Sequence, residues 1–241
     1  MSASSSSPAD AAELAAAVIT LAPGEQPQTD LEIKRSHFLG RAARTDDEAA
    51  ARAFVASVRA RYPDARHHCS AFIVSVPGAQ PIERSSDDGE PSGTAGQPIL
   101  EVLRGTGLTN TTVVVTRYFG GVLLGTGGLA RAYSQAASQA LAAASRVRLD
   151  TRSLWRVRVP VADAGRLEAQ LRGRGAPEGV GVEETSWEAT HAVLTVSTAT
   201  AEADAEALAE QLAALTGGAA LPEPAGTRIV ETTIPRTSRH A

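Results

Sequence analysis

The sequence predicts an α+β protein of two domains, and three observations carry that reading. Short β-branched or alternating runs, such as Val113-Val114-Val115 and Trp155, Val157, Val159 and Val161, are interleaved with apolar stripes at helical spacing, such as Leu129, Tyr133, Ala137 and Leu141. A chain of 241 residues makes one large domain or two small ones. After Arg152 the elements follow a β-α-β-β-α-β order that is complete in itself. The expected boundaries are a disordered tail over 1–23, a first domain over 24–150 and a second over 151–241.

Taken in order, Ser4 to Ser7 read as a disordered tail, and Ala11 to Leu21 as a loose helix. A first strand starts at Leu31-Glu32-Ile33-Lys34 and continues towards Phe38 and Leu39. Asp46-Asp47-Glu48 places carboxylates at a helix start, where they complement the dipole. Ala50, Phe54 and Val58 continue that helix to Arg61, and Pro63 stops it. His67 to Val76 is a strand ending at the Pro77-Gly78 turn, with Ile82 to Arg84 as its hairpin partner. A glycine-rich loop, Gly93-Thr94-Ala95-Gly96, runs into a helix carrying Ile99, Leu100 and Leu103. Thr112 to Thr116 form a buried strand. A second glycine-rich loop, Gly125-Thr126-Gly127-Gly128, opens a long helix reaching about Val147.

In the second domain, Trp155 to Val161 is a half-exposed strand, and Asp163 opens a short helix with Leu167 and Leu171. Val180 to Trp187 and His191 to Ser197 are two strands joined by a tight turn. Glu202 opens a helix with Leu208, Leu212 and Leu215, ended by Gly217-Gly218, and Arg228 to Ile234 is the last strand. This order is the ferredoxin-like pattern.

Composition limits the function classes. Cys69 stands alone, so no disulfide forms within the chain, and a reducing compartment is expected. No apolar run is long enough for a bilayer, and residues 1–22 lack the basic start of a signal peptide. The cytoplasm is the expected location, with no membrane partner. Net charge is −4. From Gly24 to Thr151 there are 14 Lys/Arg against 13 Asp/Glu, and from Arg152 onward 9 against 12. Neither half is a polycation, so nucleic acid would be held by a local patch, not by bulk charge. Lys34 is the only lysine, which fits an arginine-rich composition.

The two glycine loops are the main candidates for chemistry. Free N–H groups at a helix start bind anions, and glycine lets a phosphate approach. Arg117 and Arg131 are placed to add counter-charge. The phosphate-binding set is therefore Gly93, Thr94, Ala95, Gly96, Arg117, Gly125, Thr126, Gly127, Gly128 and Arg131. The plainer reading, that Thr94 and Thr126 cap helices and the glycines permit tight packing, stands beside it. Gly125 to Ala130 formally satisfies G-x-G-x-x-A, but no strand feeds straight into it. Gly120 and Gly125 have P-loop spacing, but Thr126 stands where that loop needs lysine. Neither motif is adopted. Asp87, Asp88 and Glu90 form a candidate metal or partner loop, able to hold magnesium beside a phosphate or to grip a basic protein; alternatively they are turn residues. His67 and His68 are adjacent, so on a strand they face opposite sides. No second Cys/His pair joins them, so no structural zinc site is expected, and Cys69 reads as a buried, inert thiol. No catalytic residue is assigned.

Several long words occur in order: Glu83-Arg84-Ser85-Ser86-Asp87-Asp88-Gly89-Glu90-Pro91, Gly93-Thr94-Ala95-Gly96-Gln97-Pro98-Ile99-Leu100, Arg117-Tyr118-Phe119-Gly120-Gly121, and Gly125-Thr126-Gly127-Gly128-Leu129-Ala130-Arg131-Ala132-Tyr133. With Lys34-Arg35-Ser36-His37-Phe38 and His67-His68-Cys69 upstream, the chain resembles the YigZ/IMPACT family, also called the Impact N-terminal domain family. The resemblance implies a first domain like domain 2 of ribosomal protein S5. It implies a smaller ferredoxin-like second domain, similar to domains of translation elongation factors. It also implies a role near translation, since eukaryotic relatives regulate initiation through a protein partner.

The leading expectation is a translation-associated regulatory or RNA-binding protein that takes nucleic-acid phosphates on its glycine loops and arginines. RNA would cross Lys34, Arg35, Arg84, Arg117 and Arg131, with Tyr118 or Phe119 as a stacking face. Two alternatives stand: a magnesium-dependent enzyme acting on a phosphorylated small molecule or nucleotide, and a protein–protein regulator using the acidic loop.

Overall fold

The computed structural model describes residues 18–76, 78–173, 179–199 and 202–235. They divide into two units, with bodies Val18–Arg148 and Leu149–Glu231. The first unit has a five-stranded antiparallel sheet. Its strands are β2 (Thr29–Ile33), β3 (Ser36–Arg44), β4 (His67–Val74), β5 (Ile82–Ser86) and β6 (Thr111–Tyr118), in the order β2-β3-β6-β4-β5. Alternation along the strands separates two faces. One carries Phe38, Cys69, Ala71, Ile73, Val113 and Val115, and it packs against α2 (Gly96–Gly105) and α3 (Thr126–Ala143) to form the main core. The other carries Phe72 and Val74, which pack with Ala51 of α1 (Glu48–Arg61).

The long helix can lie close to the sheet because its inner stripe is small. Ala132, Ala136, Ala137 and Ala140 are fully buried, and Gly40 of β3 backs onto the Ala136 carbonyl and the Ala140 methyl. A Cβ at Gly40 would stand 2.9 Å from that carbonyl, so only glycine fits.

In the second unit, β7 (Arg146–Pro160) pairs with β9 (His191–Ala199) and with β10 (Pro222–Ile234), and β9 pairs with β8 (Gly181–Trp187). Helices α4 (Val161–Arg172) and α5 (Glu202–Thr216) complete the β-α-β-β-α-β order. Val157, Val159, Leu167, Leu171, Leu194, Val196, Leu208 and Leu212 form its separate core.

Three expectations need correcting. Val18–Leu21 is a strand, β1, paired with β7, where a tail and loose helix were expected; residues 1–17 lie outside the described residues. Its β-branched Val18, Ile19 and Thr20 favour extended backbone, and Leu21 is fully buried. The first strand is a hairpin, not one run. Lys34 and Arg35 turn the chain between β2 and β3 with φ of 49° and 63°. This two-residue turn has no Asn or Gly to announce it. The long helix stops at Ala143, not Val147, because Ala144 is extended and Arg146 to Leu149 alternate half-buried and buried in β7. The two units divide between Arg148 and Leu149, and β7 contains residues of both.

Candidate functional site at one end of the first sheet

Strand register gathers the sequence words at one end of the first unit. Arg117 near the end of β6 pairs with Phe38 near the start of β3 and with His67 at the start of β4. Ser86 at the end of β5 pairs with Ser70 of β4, and the 87–96 loop follows. Helix α3 runs alongside β3: Gly40 meets Ala136 and Ala140, while Phe38 meets Tyr133 in an edge-on ring contact at 5.2 Å. The N-terminus of α3 therefore points towards the Lys34-Arg35 turn.

Two glycines fasten these words together. A Cβ at Gly120 would stand 2.0 Å from the Arg35 carbonyl carbon, so the RYFGG word lies directly on the turn, where Gly120 N–H also donates to Ser36 Oγ (3.0 Å). A Cβ at Gly96 would stand 2.7 Å from the Ser86 backbone, which seats α2 against β5.

The three loop carboxylates have separate partners. Asp87 accepts from the amides of Gly93 (2.8 Å), Ala95 (3.0 Å) and Gly96 (2.8 Å). Partial burial pushes its carboxyl up, but the Gly93, Gly96 and Ala95 amides outweigh that and hold it below the usual range. Asp88 accepts from the His68 amide (2.6 Å) and from Arg59 Nη2 (2.6 Å), while His67 Nδ1 lies 2.9 Å from the Asp88 carbonyl. Glu90 is buried; Arg117 Nη1 (2.7 Å) and Tyr133 Oη (2.8 Å) both donate to its Oε1.

These contacts bear on two expectations. The first glycine loop is not an open phosphate cradle, because a carboxylate of the chain itself fills the amides that a phosphate would use. The acidic loop does not converge on a magnesium position, because its three carboxylates point to different partners; no cluster of three possible metal ligands occurs among the described residues. The local sequence shows three acids in four residues. It does not show Arg59, His68, Arg117 and Tyr133, which arrive from other elements.

Arg117 also departs from its expected role as free counter-charge. It is buried, its charge is balanced by Glu90, and its guanidinium lies 5.5 Å from the ring centres of both Phe38 and Phe119. Cys69 is fully buried, and its Sγ donates to the Asp87 carbonyl (3.0 Å). Burial pushes the thiol up to about 12, which keeps it protonated at neutral pH. His67 and His68 face opposite sides of β4. His68 is buried, with Nδ1 3.0 Å from Thr116 Oγ1, and burial holds its ring below the usual histidine range.

The second glycine loop differs from the first. Gly125 precedes α3 with φ 71°, and no side chain caps the Thr126, Gly127 and Gly128 amides. Arg131 is exposed, and its Nη1 would be 3.9 Å from a Cβ at Gly127. Around this end, Lys34, Arg35, Arg66 and Arg131 are exposed and make no ion pair among the described residues. Arg66 was missed in the sequence, although it stands directly before the His67-His68-Cys69 word. Arg84 does not join them. It lines a groove of roughly 850 Å³ between α1 and the β4-β5 edge, with Arg52, Arg59 and Phe72, and its Nη1 donates to the Glu83 carbonyl. Tyr118 donates to Asp64 (2.8 Å), while Phe119 is 56% exposed.

The Impact N-terminal domain profile matches residues 34–141, the span that carries all of these words. An IMPACT family member of Thermus thermophilus is 42% identical over 142 residues, covering 59% of this chain and 75% of that protein. The chain belongs to the IMPACT family. Its family relative YigZ of Escherichia coli is 54% identical over 110 residues, a match covering 46% of this chain and 54% of YigZ, so the chain spans about half of that relative's length. A crystal structure of a hypothetical protein matches over 86% of this chain and 96% of its own, at 35% identity and a TM-score of 0.53. No helix among the described residues is long and apolar enough to cross a membrane.

Proposed function

We propose that this IMPACT-family chain is a translation-associated RNA-binding protein whose contact surface is the motif end of its first unit. The link to translation rests on the family resemblance. The RNA contact rests on one observation: Lys34, Arg35, Arg66 and Arg131 stand exposed without ion pairs among the described residues, while Asp64, Asp87, Asp88 and Glu90 are already engaged. Asp88 and Glu90 are balanced by Arg59 and Arg117, and the four unpaired cations outnumber Asp64 and Asp87, which keep their charge against neutral donors, so this end is cationic although the chain carries a net charge of −4. Exposed cations track a phosphodiester backbone, and the uncapped amides of α3 beside Arg131 supply an anion position.

The check is a filter-retention or anisotropy titration of the full chain with tRNA and ribosomal RNA at low salt. Arg66→Ala combined with Arg131→Ala is expected to weaken retention by about tenfold or more, since each removes a phosphate contact. Absence of retention by the unmutated chain, or retention that the double variant leaves intact, defeats the reading.

A further inference from the structure

A pocket of roughly 440 Å³ opens beside the cationic end, lined by Asp64, Arg66, His67, Arg117, Tyr118, Phe119 and Leu123. Its volume falls within the range of small-molecule sites. Three of its features are unexplained by the fold. Phe119 and Leu123 are 56% and 83% exposed, where apolar side chains gain nothing from water. Arg117 is only 7% exposed, yet its guanidinium makes one hydrogen bond among the described residues, and its Nε is buried with no acceptor. A guanidinium has five N–H donors, and burying them unpaired is costly.

We infer that this pocket receives one unpaired nucleobase of a bound RNA strand, stacked on Phe119 with a carbonyl edge towards Arg117. Charge selects this ligand over a phosphate. Glu90 already balances Arg117, so the pair calls for a neutral acceptor, and a base carbonyl is one. The exposed ring of Phe119 offers a flat platform, and bases bind aromatic faces regardless of charge. Arg66 at the rim meets the phosphate attached to that base. A keto base, uracil or guanine, presents an unobstructed carbonyl oxygen to the pocket side of the guanidinium; on adenine the N1 and N7 acceptors flank an N6 amino donor, which the Arg117 donors repel.

This inference rests on the RNA reading above, and its test separates the two. End-labelled U8 and A8 RNAs are titrated with the full chain by anisotropy at low salt. The expected result is tighter binding of U8 than A8 by about tenfold, the scale of one base contact. Phe119→Ala should abolish that preference and weaken U8 by a similar factor, while the melting temperature falls by no more than a few degrees, since the ring is more than half exposed and gives up only its contact over Arg117. Arg131→Ala should weaken both RNAs equally. Equal binding of U8 and A8, or a Phe119→Ala chain that binds U8 normally while Arg131→Ala does not, overturns the base pocket and leaves the RNA reading standing. No binding of either RNA by the unmutated chain overturns both. RNA-independent capture of a protein through Phe119 and Leu123 would make the patch a protein interface and overturn the base pocket too.

Discussion

Glu90, Arg117 and Tyr133 come from a loop, a strand and a helix, and they meet around one carboxylate oxygen in a buried setting. Removing the carboxylate strands a guanidinium and a phenol together. Glu90→Ala is expected to cost about 3–5 kcal/mol of unfolding free energy in urea titration. Replacing both partners, Glu90→Met with Arg117→Met, should recover part of that loss, because no unpaired charge remains. Asp87 makes a different contribution. Asp87→Asn keeps one acceptor and loses the charge, at a cost of about 1–2 kcal/mol at neutral pH. The carboxyl is held below its ordinary 3.8, so its stabilisation is present above about pH 4 and fades as pH falls through the folded-state value. The urea midpoints of the natural chain and Asp87→Asn should therefore approach one another on acidification below about pH 4.

At the scale of elements, the β2–β3 turn sets stability against charge. Both of its central residues are left-handed, a conformation that Asn-Gly adopts easily and Lys-Arg does not. Lys34→Asn with Arg35→Gly is expected to raise the melting temperature by a few degrees. The same exchange removes two of the four unpaired cations, so RNA affinity should fall as the thermal midpoint rises. Loss of both stability and binding would show that Lys34 and Arg35 hold the turn by contacts of their own. The helix starts make a second contrast. The α2 start is closed by Asp87, while the α3 start has no capping side chain. Both glycine words looked alike in the sequence; what separates them is a carboxylate six to nine residues upstream of the first.

At the scale of the whole molecule, a chain with net charge −4 holding RNA at a small cationic surface should bind modestly, with a shallow salt dependence. Four phosphate contacts predict a slope of about −3 in a plot of log affinity against log salt for single-stranded RNA. The Arg66→Ala, Arg131→Ala double variant should reduce that slope by about half. A slope unaffected by the double variant would place the contact surface elsewhere on the chain. Arg84, beyond this end in its own groove, is expected to leave the slope unchanged when replaced by alanine.

The amino-acid sequence determined the order of strands and helices, the ferredoxin-like second unit, and the family words. These rest on backbone rules that act over a few residues: alternation, helical spacing and glycine at positive φ. It missed the Lys34-Arg35 turn, whose left-handed residues carry no local signal, and the strand at Val18–Leu21, whose partner is far along the chain. Only the tertiary structure decided which charges face water. Glu90 meets Arg117 across 27 positions and Tyr133 across 43, and Asp88 meets Arg59 across 29. A carboxylate in a loop is free or spent according to what the fold brings beside it, and pairings over such separations are set by sheet register and helix packing, not by neighbours in sequence.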